Sequence, residues 1–368
     1  MQCKSPVLAA AKSVQSSIAC SILLCGLLSG CQSLHYMGQA AVGHLDLLNR
    51  RQTAAELIED PRTPQDLKGQ LLLAARLLDF AEQELLLPAG DQYRSYVSLE
   101  RPCVVWNVFA APELSLEPKT WCYPIVGCTV YRGFFAEESA RRCADRLARR
   151  GYDVIVGGVT AYSTLGWFSD PLLSTFIYRS ESGLAELIFH ELAHQLLYVR
   201  DDSMFNESFA TAVAQEGLRR WFESRHDVTE YRRYEALVQD RREMAALISE
   251  FRDRLQQMYR RRLPDTVKRR QKAELFKKLR QEFEFRRRHR KPLALFSGWF
   301  EAPLNNAKLV SLATYHDDVP AFQQLLENNR NDLDRFYRQC RELAGYDPAK
   351  RRRRLRQLVG APSQRVAR

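Results

Sequence analysis

His190, Glu191 and His194 stand in the order His-Glu-Leu-Ala-His, and Glu207 follows thirteen positions after the second histidine. On an α-helix, residues four apart share a face about 6 Å apart along the axis, so both imidazoles can aim at one point. Zinc takes imidazole nitrogen at about 2.0–2.1 Å, and a catalytic zinc keeps three protein ligands with one position open for water. Glu207 qualifies as the third ligand, because the six residues 200–205 form a loop short enough to fold the next helix back on the first. Glu191, rotated about 100° from His190, would sit beside such an ion without ligating it. A carboxylate there can take the proton of a polarised water. The pattern predicts one Zn2+ per chain, held by His190, His194 and Glu207, and hydrolysis with Glu191 as general base. Apolar flanks, Leu187-Ile188-Phe189 and Leu196-Leu197, bury this helix, and a charge in such a setting is costly unless it is used.

Peptide hydrolysis also needs a donor for the developing oxyanion. Tyr162 and Tyr315 are candidates, and Tyr198, one turn past His194, is a third. For each, aromatic packing is the alternative role.

These residues need elements to position them. The periodicity predicts a motif helix over 182–199 and a second helix over 206–223, in which Ala210 and Ala214 permit close approach. Upstream, apolar residues at three- and four-residue steps over 36–60 and 63–87 predict two amphipathic helices joined through Pro61 and Pro64. From Tyr96 onward, short β-branched and aromatic runs broken by Pro and Gly predict strands. A helix closed by Gly151 and a further strand from Tyr152 follow. The fold class is therefore α+β, mostly helical, with a small sheet before the motif helix. The organisation expected is a leader over 1–30, a metal-binding core over 31–224, a helical hairpin over 225–291, a helical part over 292–348, and a disordered basic tail over 349–368.

The chain of 368 residues is 45% hydrophobic, enough to bury a core, and carries a net charge of +11. That charge is concentrated. Residues 225–291 hold 22 Lys/Arg against 11 Asp/Glu, and residues 349–368 hold eight bases and no acid, leaving 25 bases and 33 acids elsewhere. Within the hairpin, Leu237, Met244, Leu247, Ile248, Phe251, Leu255 and Met258 form a helical stripe that must pack on a partner helix or on the body. Its charged face is either merely solvated or a contact for an anionic surface. Nucleic acid is not expected, since the chain reads as exported and no recognition module is visible.

Lys4 and Lys12 precede a fourteen-residue apolar run, too short to span a bilayer, that ends at Cys31. The ending Leu28-Ser29-Gly30-Cys31 resembles a bacterial lipobox. That resemblance implies acylation of Cys31 as the first mature residue, and Gln32 after it implies an outer-membrane anchor facing the periplasm. Five cysteines then remain: Cys103, Cys122, Cys128, Cys143 and Cys340. Cys122 and Cys128 are close enough in sequence to pair across a turn, and an odd number leaves at least one thiol free.

With the metal motif and its second glutamate in view, the chain resembles the gluzincins, zinc metallopeptidases whose third ligand is a glutamate on the helix after the His-Glu-x-x-His motif. More closely, it resembles a bacterial family of lipoprotein aminopeptidases. The segments "PIVGCTVYRGFF", "AYSTLGWFSDPLLST", "IFHELAHQLLYV", "FNESFA" and "NNAKLVSLATYHDDVPAF" carry that likeness. It implies a zincin-like core, a peptide substrate, His190, His194 and Glu207 as zinc ligands, and Glu191 as base. One position departs: many gluzincins place an aspartate four residues beyond the ligand glutamate, and here Thr211 stands there. "PIVGCTVYRGFF" could be an edge strand that receives substrate backbone, or a structural strand stapled by Cys122–Cys128. Exopeptidase and endopeptidase action both fit these residues. A lipoprotein scaffold with a structural zinc is the rival reading, although it would need the ligands and not Glu191.

Overall fold

A computed structural model describes residues 38–39, 42–123, 127–161, 163–164, 168–289, 296–312 and 318–360. The chain falls into two units, residues 1–50 and 51–368. In the first, residues 42–49 are helical, and Arg50 reaches back to Asp46 at 3.6 Å, one turn away.

The second unit is α+β and mostly helical. It opens with β1 (Gln52–Thr53) and α1 (Ala54–Glu59), so the helix expected over 36–60 is interrupted. The interruption has a partner: Gln52 and Thr53 pair antiparallel with Tyr96 and Ser95 of β2 (Ser95–Val97). β2 in turn runs parallel to β8 (Leu172–Leu173). Between β1 and β2 in the chain, α2 (Gln65–Gln83) starts after Pro64 and buries Leu67, Leu71, Ala74, Leu78 and Ala81, the three- and four-residue stripe of an amphipathic helix.

A second sheet has β3 (Val105–Pro112) at its centre, with β6 (Tyr131–Phe134) and β7 (Tyr152–Val159) antiparallel on either side. Phe109 faces Tyr131 on one side and Ile155 on the other. α3 (Glu137–Ala148) links β6 to β7 and ends at Gly151, whose φ of +81° only glycine adopts without strain. A short hairpin, β4 (Trp121–Tyr123) with β5 (Gly127–Thr129), pairs Cys122 with Cys128, and a disulfide joins them. Cys103, Cys143 and Cys340 are free thiols.

The helical half begins with α4 (Glu181–Leu196) and α5 (Ser203–Ser224). A long hairpin follows, α6 (Val228–Arg260) and α7 (Asp265–His289), broken at Pro264. Its apolar seam packs on both possible partners at once. Met244, Leu247, Ile248, Phe251, Leu255 and Met258 share one cluster with Phe276, Leu279 and Phe283 of α7 and with Ala111 and Leu116 of the body. Leu237 is only half-buried, and Tyr234 and Val238 take the buried positions of that turn. Lys272 on α7 sits 2.6 Å from Asp153 on β7 and donates to the Glu113 carbonyl at 2.8 Å, so part of the hairpin's basicity fastens it to the sheet.

The chain closes with α8 (Ser297–Glu301), α9 (Asn306–Leu312), α10 (Val319–Asn328), α11 (Leu333–Ala344) and α12 (Pro348–Gly360). α12 corrects the expectation of disorder over residues 349–360, and residues 361–368 lie outside the described residues. Leu355 is buried, and the Arg351 guanidinium donates to the carbonyls of Leu343, Ala344 and Tyr346 at 3.1, 2.9 and 2.8 Å. These carbonyls lie at and just beyond the C-terminal end of α11, where an arginine suits them in hydrogen bonding and charge.

Candidate metal centre

α4 is fixed at its start by Ser180, whose hydroxyl accepts the Gly183 N–H at 3.2 Å. Leu184, Ala185, Leu187, Ile188, Phe189, Leu192 and Ala193 are buried around most of its circumference, so the helix is central to the core. It ends at Leu196, three residues before the expected boundary, and α5 starts three residues early at Ser203. The reason is Asp202, which caps α5 by accepting the Phe205 N–H at 3.2 Å. The connection is thus residues 197–202, and Asp201 in it adopts a left-handed φ of +62°.

Two side chains hold this turn closed. Asn206 accepts the Val199 N–H at 2.8 Å and donates to the Val199 carbonyl at 2.7 Å, so one buried amide satisfies the backbone where the chain reverses. Arg351 pairs with Asp202 and stacks its guanidinium 5.2 Å from the Phe205 ring. Farther along, α4 and α5 touch where a Cβ on Gly217 would come within 2.7 Å of Phe189, a contact only glycine allows. The disulfide-closed hairpin braces the same turn from outside: the Cys128 N–H donates to Asp201 Oδ1 at 2.9 Å.

This scaffold brings His190, His194 and Glu207 together. The two Nε2 atoms lie 3.1 Å apart. Glu207 Oε2 lies 3.2 Å from His190 Nε2, and Oε1 lies 3.7 Å from His194 Nε2. All three residues offer a ligand atom within 4.8 Å of the others. Ligands around a tetrahedral ion at about 2.0–2.1 Å stand roughly 3.3 Å from one another. The donor set therefore fits a metal ion without rearrangement.

Electrostatics agree with that use. Burial, with His190 beside it, lowers His194 to about 4, so its ring is neutral and its lone pair available near pH 7. For His190, burial works against the charged ring, but the Glu207 hydrogen bond and the fields of Glu191, Glu207 and Glu186 outweigh it and raise the pKa. Burial also raises Glu191, against the pull of His190. His194 Nδ1 is buried without a hydrogen-bond partner among the described residues, and Thr211, one turn beyond Glu207 on α5, is buried as well.

Of the tyrosines, Tyr162 and Tyr315 lie outside the described residues, as does Cys31. Tyr198 is 43% exposed, with its ring 6.5 Å from that of His194 and its hydroxyl pKa raised by burial and by Glu207. The sequence reading missed Asn206, and it missed a group on the far side of Glu191. Ser163, which works against the rise of the Glu191 pKa, lies 3.2 Å from Asp170, which is buried. Tyr93, buried with a left-handed φ of +58°, has its hydroxyl in the field of both carboxylates. A buried aspartate before a proline was visible in "WFSDPLLST", but nothing in its spacing ties it to Glu191.

The family described as "Putative aminopeptidase" matches residues 35–355. The chain belongs to that family. No curated protein and no solved structure matches it. Membership in this family indicates a peptidase, and the three converging ligands are compatible with a metallopeptidase.

Proposed function

We propose that this protein is a zinc-dependent aminopeptidase of gluzincin type, tethered to the envelope membrane through Cys31. The observation that carries the reading is the approach of His190 Nε2, His194 Nε2 and a Glu207 carboxylate oxygen to within 4.8 Å of one another, with Glu191 on the adjacent helical position. Bound there, zinc would supply Lewis acidity toward a peptide carbonyl and lower the pKa of water. Glu191 accepts the proton of the attacking water and returns it to the leaving amine. Its raised pKa suits both halves of that transfer. Tyr198, with its ring 6.5 Å from that of His194, would donate to the oxyanion from the rim, and Tyr162 and Tyr315 belong to the same proposal.

The membrane part of the reading rests on the lipobox-like ending at Cys31 and places the protein at the outer membrane, facing the periplasm. No helix among the described residues is long and apolar enough to cross a membrane. The outward bases of the 225–291 hairpin would then lie against anionic headgroups, with part of their charge already neutralised by pairs such as Arg286–Glu282 and Arg254–Glu250. A scaffold role would leave Glu191 unused.

The test is zinc content together with cleavage of a mixed peptide library read by mass spectrometry. Stoichiometric zinc and sequential loss of N-terminal residues support the proposal. Internal cuts would make the protein an endopeptidase, and zinc without cleavage would favour the scaffold.

A further inference from the structure

α5 carries Glu207 on one face and lines an open groove with another. Gln215, Glu216 and Arg219 share that second face, at three- and four-residue steps. α6 and α10 supply the other two walls. The space between the three helices is about 760 Å3, within the range of small-molecule sites. Its floor is apolar and buried, with Val238, Phe322 and Phe336 in it. None of the lining residues belongs to the group formed by His190, His194 and Glu207.

The groove has a positive end and a negative one. At the first, the Arg242 guanidinium reaches only neutral acceptors, Gln323 Oε1 at 3.1 Å and Gln215 Oε1 at 3.5 Å. Other arginines of α6 are neutralised: Arg241 pairs with Glu186, Arg233 with Glu230 and Arg254 with Glu250. The two amides are themselves tied together, since Gln323 Nε2 donates to Gln215 Oε1 at 2.7 Å. Arg242 is thus placed by side chains that leave its charge uncompensated. Toward the other end lie Glu235, seven residues before Arg242 on α6, and Glu327, one turn past Gln323 on α10. Neither belongs to an ion pair among the described residues. Glu216 is different, because Arg219 and Arg220 each hold it at 2.7 Å.

An uncompensated guanidinium suits a carboxylate, whose two oxygens match its fork of donors. A polyanion would meet Glu235 and Glu327 as like charges, and a simple cation would leave Arg242 unused. A zwitterion engages both ends. Seven helical residues rise about 10.5 Å, and an extended chain of three residues spans about 10–11 Å. We infer that this groove is a second peptide site, which binds the carboxylate of a tripeptide-sized chain at Arg242 and its ammonium beside Glu235 and Glu327. Backbone groups between the two ends meet the polar walls, and small side chains rest on the apolar floor. The inference goes beyond the peptidase reading and stands without it, because the groove uses no metal ligand.

The test is calorimetric titration of the full chain carrying Glu191→Gln, so that no peptide is consumed, with trialanine, trialanine amide and N-acetyl-trialanine. Trialanine should bind, and removing either terminal charge should weaken it about fivefold, the worth of an ion pair at a partly open surface. Adding Arg242→Met should weaken trialanine by the same factor and leave the amide unchanged. Arg242 is exposed, so this substitution spares the core. Absence of trialanine binding, or equal affinity for the three peptides, would overturn the inference. So would trialanine affinity that survives Arg242→Met, which would put the peptide at the metal-ligand group instead.

Discussion

At the scale of single residues, Glu191 and Glu207 are both carboxylates in one small volume, and their different positions separate the roles proposed for them. Glu207 points an oxygen at each histidine nitrogen, whereas Glu191 is not one of the three converging residues. Glu191→Gln should lower kcat about a thousandfold, the usual contribution of a positioned base, with zinc content unchanged by metal analysis. Loss of zinc in that variant would make Glu191 a ligand and sink the assignment. Glu207→Ala should do the reverse and abolish stoichiometric zinc, since only two ligands would remain. The histidines differ too. In the metal-free chain, an NMR titration should find His194 neutral down to about pH 4 and His190 holding its proton above the ordinary imidazole range. The sign of the stability effect follows for His194. Between the ordinary value of 6.5 and about 4, the unfolded chain binds a proton that the folded ring refuses. Its share of stability is therefore complete above pH 6.5 and is lost as pH falls toward 4. A His194 signal that titrates like free imidazole would contradict the burial argument.

At the scale of elements, the decisive feature is the reversal between α4 and α5, and much of it was legible. The four-residue spacing of His190 and His194, the alanines at 210 and 214, and the short intervening loop together required two packed antiparallel helices. What was not legible was how the turn is closed. Asn206 beside Glu207 looked like an ordinary helix-start residue, yet it lies inside α5 and clasps Val199, because Asp202 takes the cap instead. A side chain that bonds backbone seven residues away leaves no periodic trace. Ser163 and Asp170 escaped for a related reason, since contacts across long sequence separations carry no local pattern. The interruption at Gln52–Thr53 is similar: only the distant β2 explains why an apparently continuous helix gives way to a strand. Asn206→Ala should cost about 2 kcal/mol, two hydrogen bonds to backbone groups that then depend on water, and weaken zinc binding by displacing Glu207. Asn206→Asp keeps the acceptor but opposes one oxygen to the Val199 carbonyl, so it should be no better. Thermal melts and zinc titration of the two variants check this, and parent-like values for Asn206→Ala would show that the turn closes without the clasp.

At the scale of the whole molecule, the C-terminal helix α12 is what the composition misjudged. Consecutive arginines from 351 to 354 read as a solvated tail, but only part of that run faces water. Arg351 is 4% exposed and is held by three carbonyls at the end of α11 and by Asp202 at the start of α5. One guanidinium thus ties the last helix to the first turn of the helix that carries Glu207. A run of one residue type conceals such a difference, because burial is decided by the phase of the helix and not by composition. Truncation after Asp347 should therefore reach the candidate metal ligands, although they lie more than a hundred residues away in sequence. Removing one partner of a buried ion pair costs about 3–5 kcal/mol, and Arg351→Met should show a loss near the lower figure, with zinc affinity falling alongside stability. Asp202→Asn in the Arg351→Met background should restore part of that loss, since the uncompensated carboxylate is then gone, while the α5 cap oxygen remains. Urea unfolding of the two single variants and the double variant gives the coupling directly. Independent, additive effects would mean that α12 stabilises the fold without bearing on the metal-binding turn.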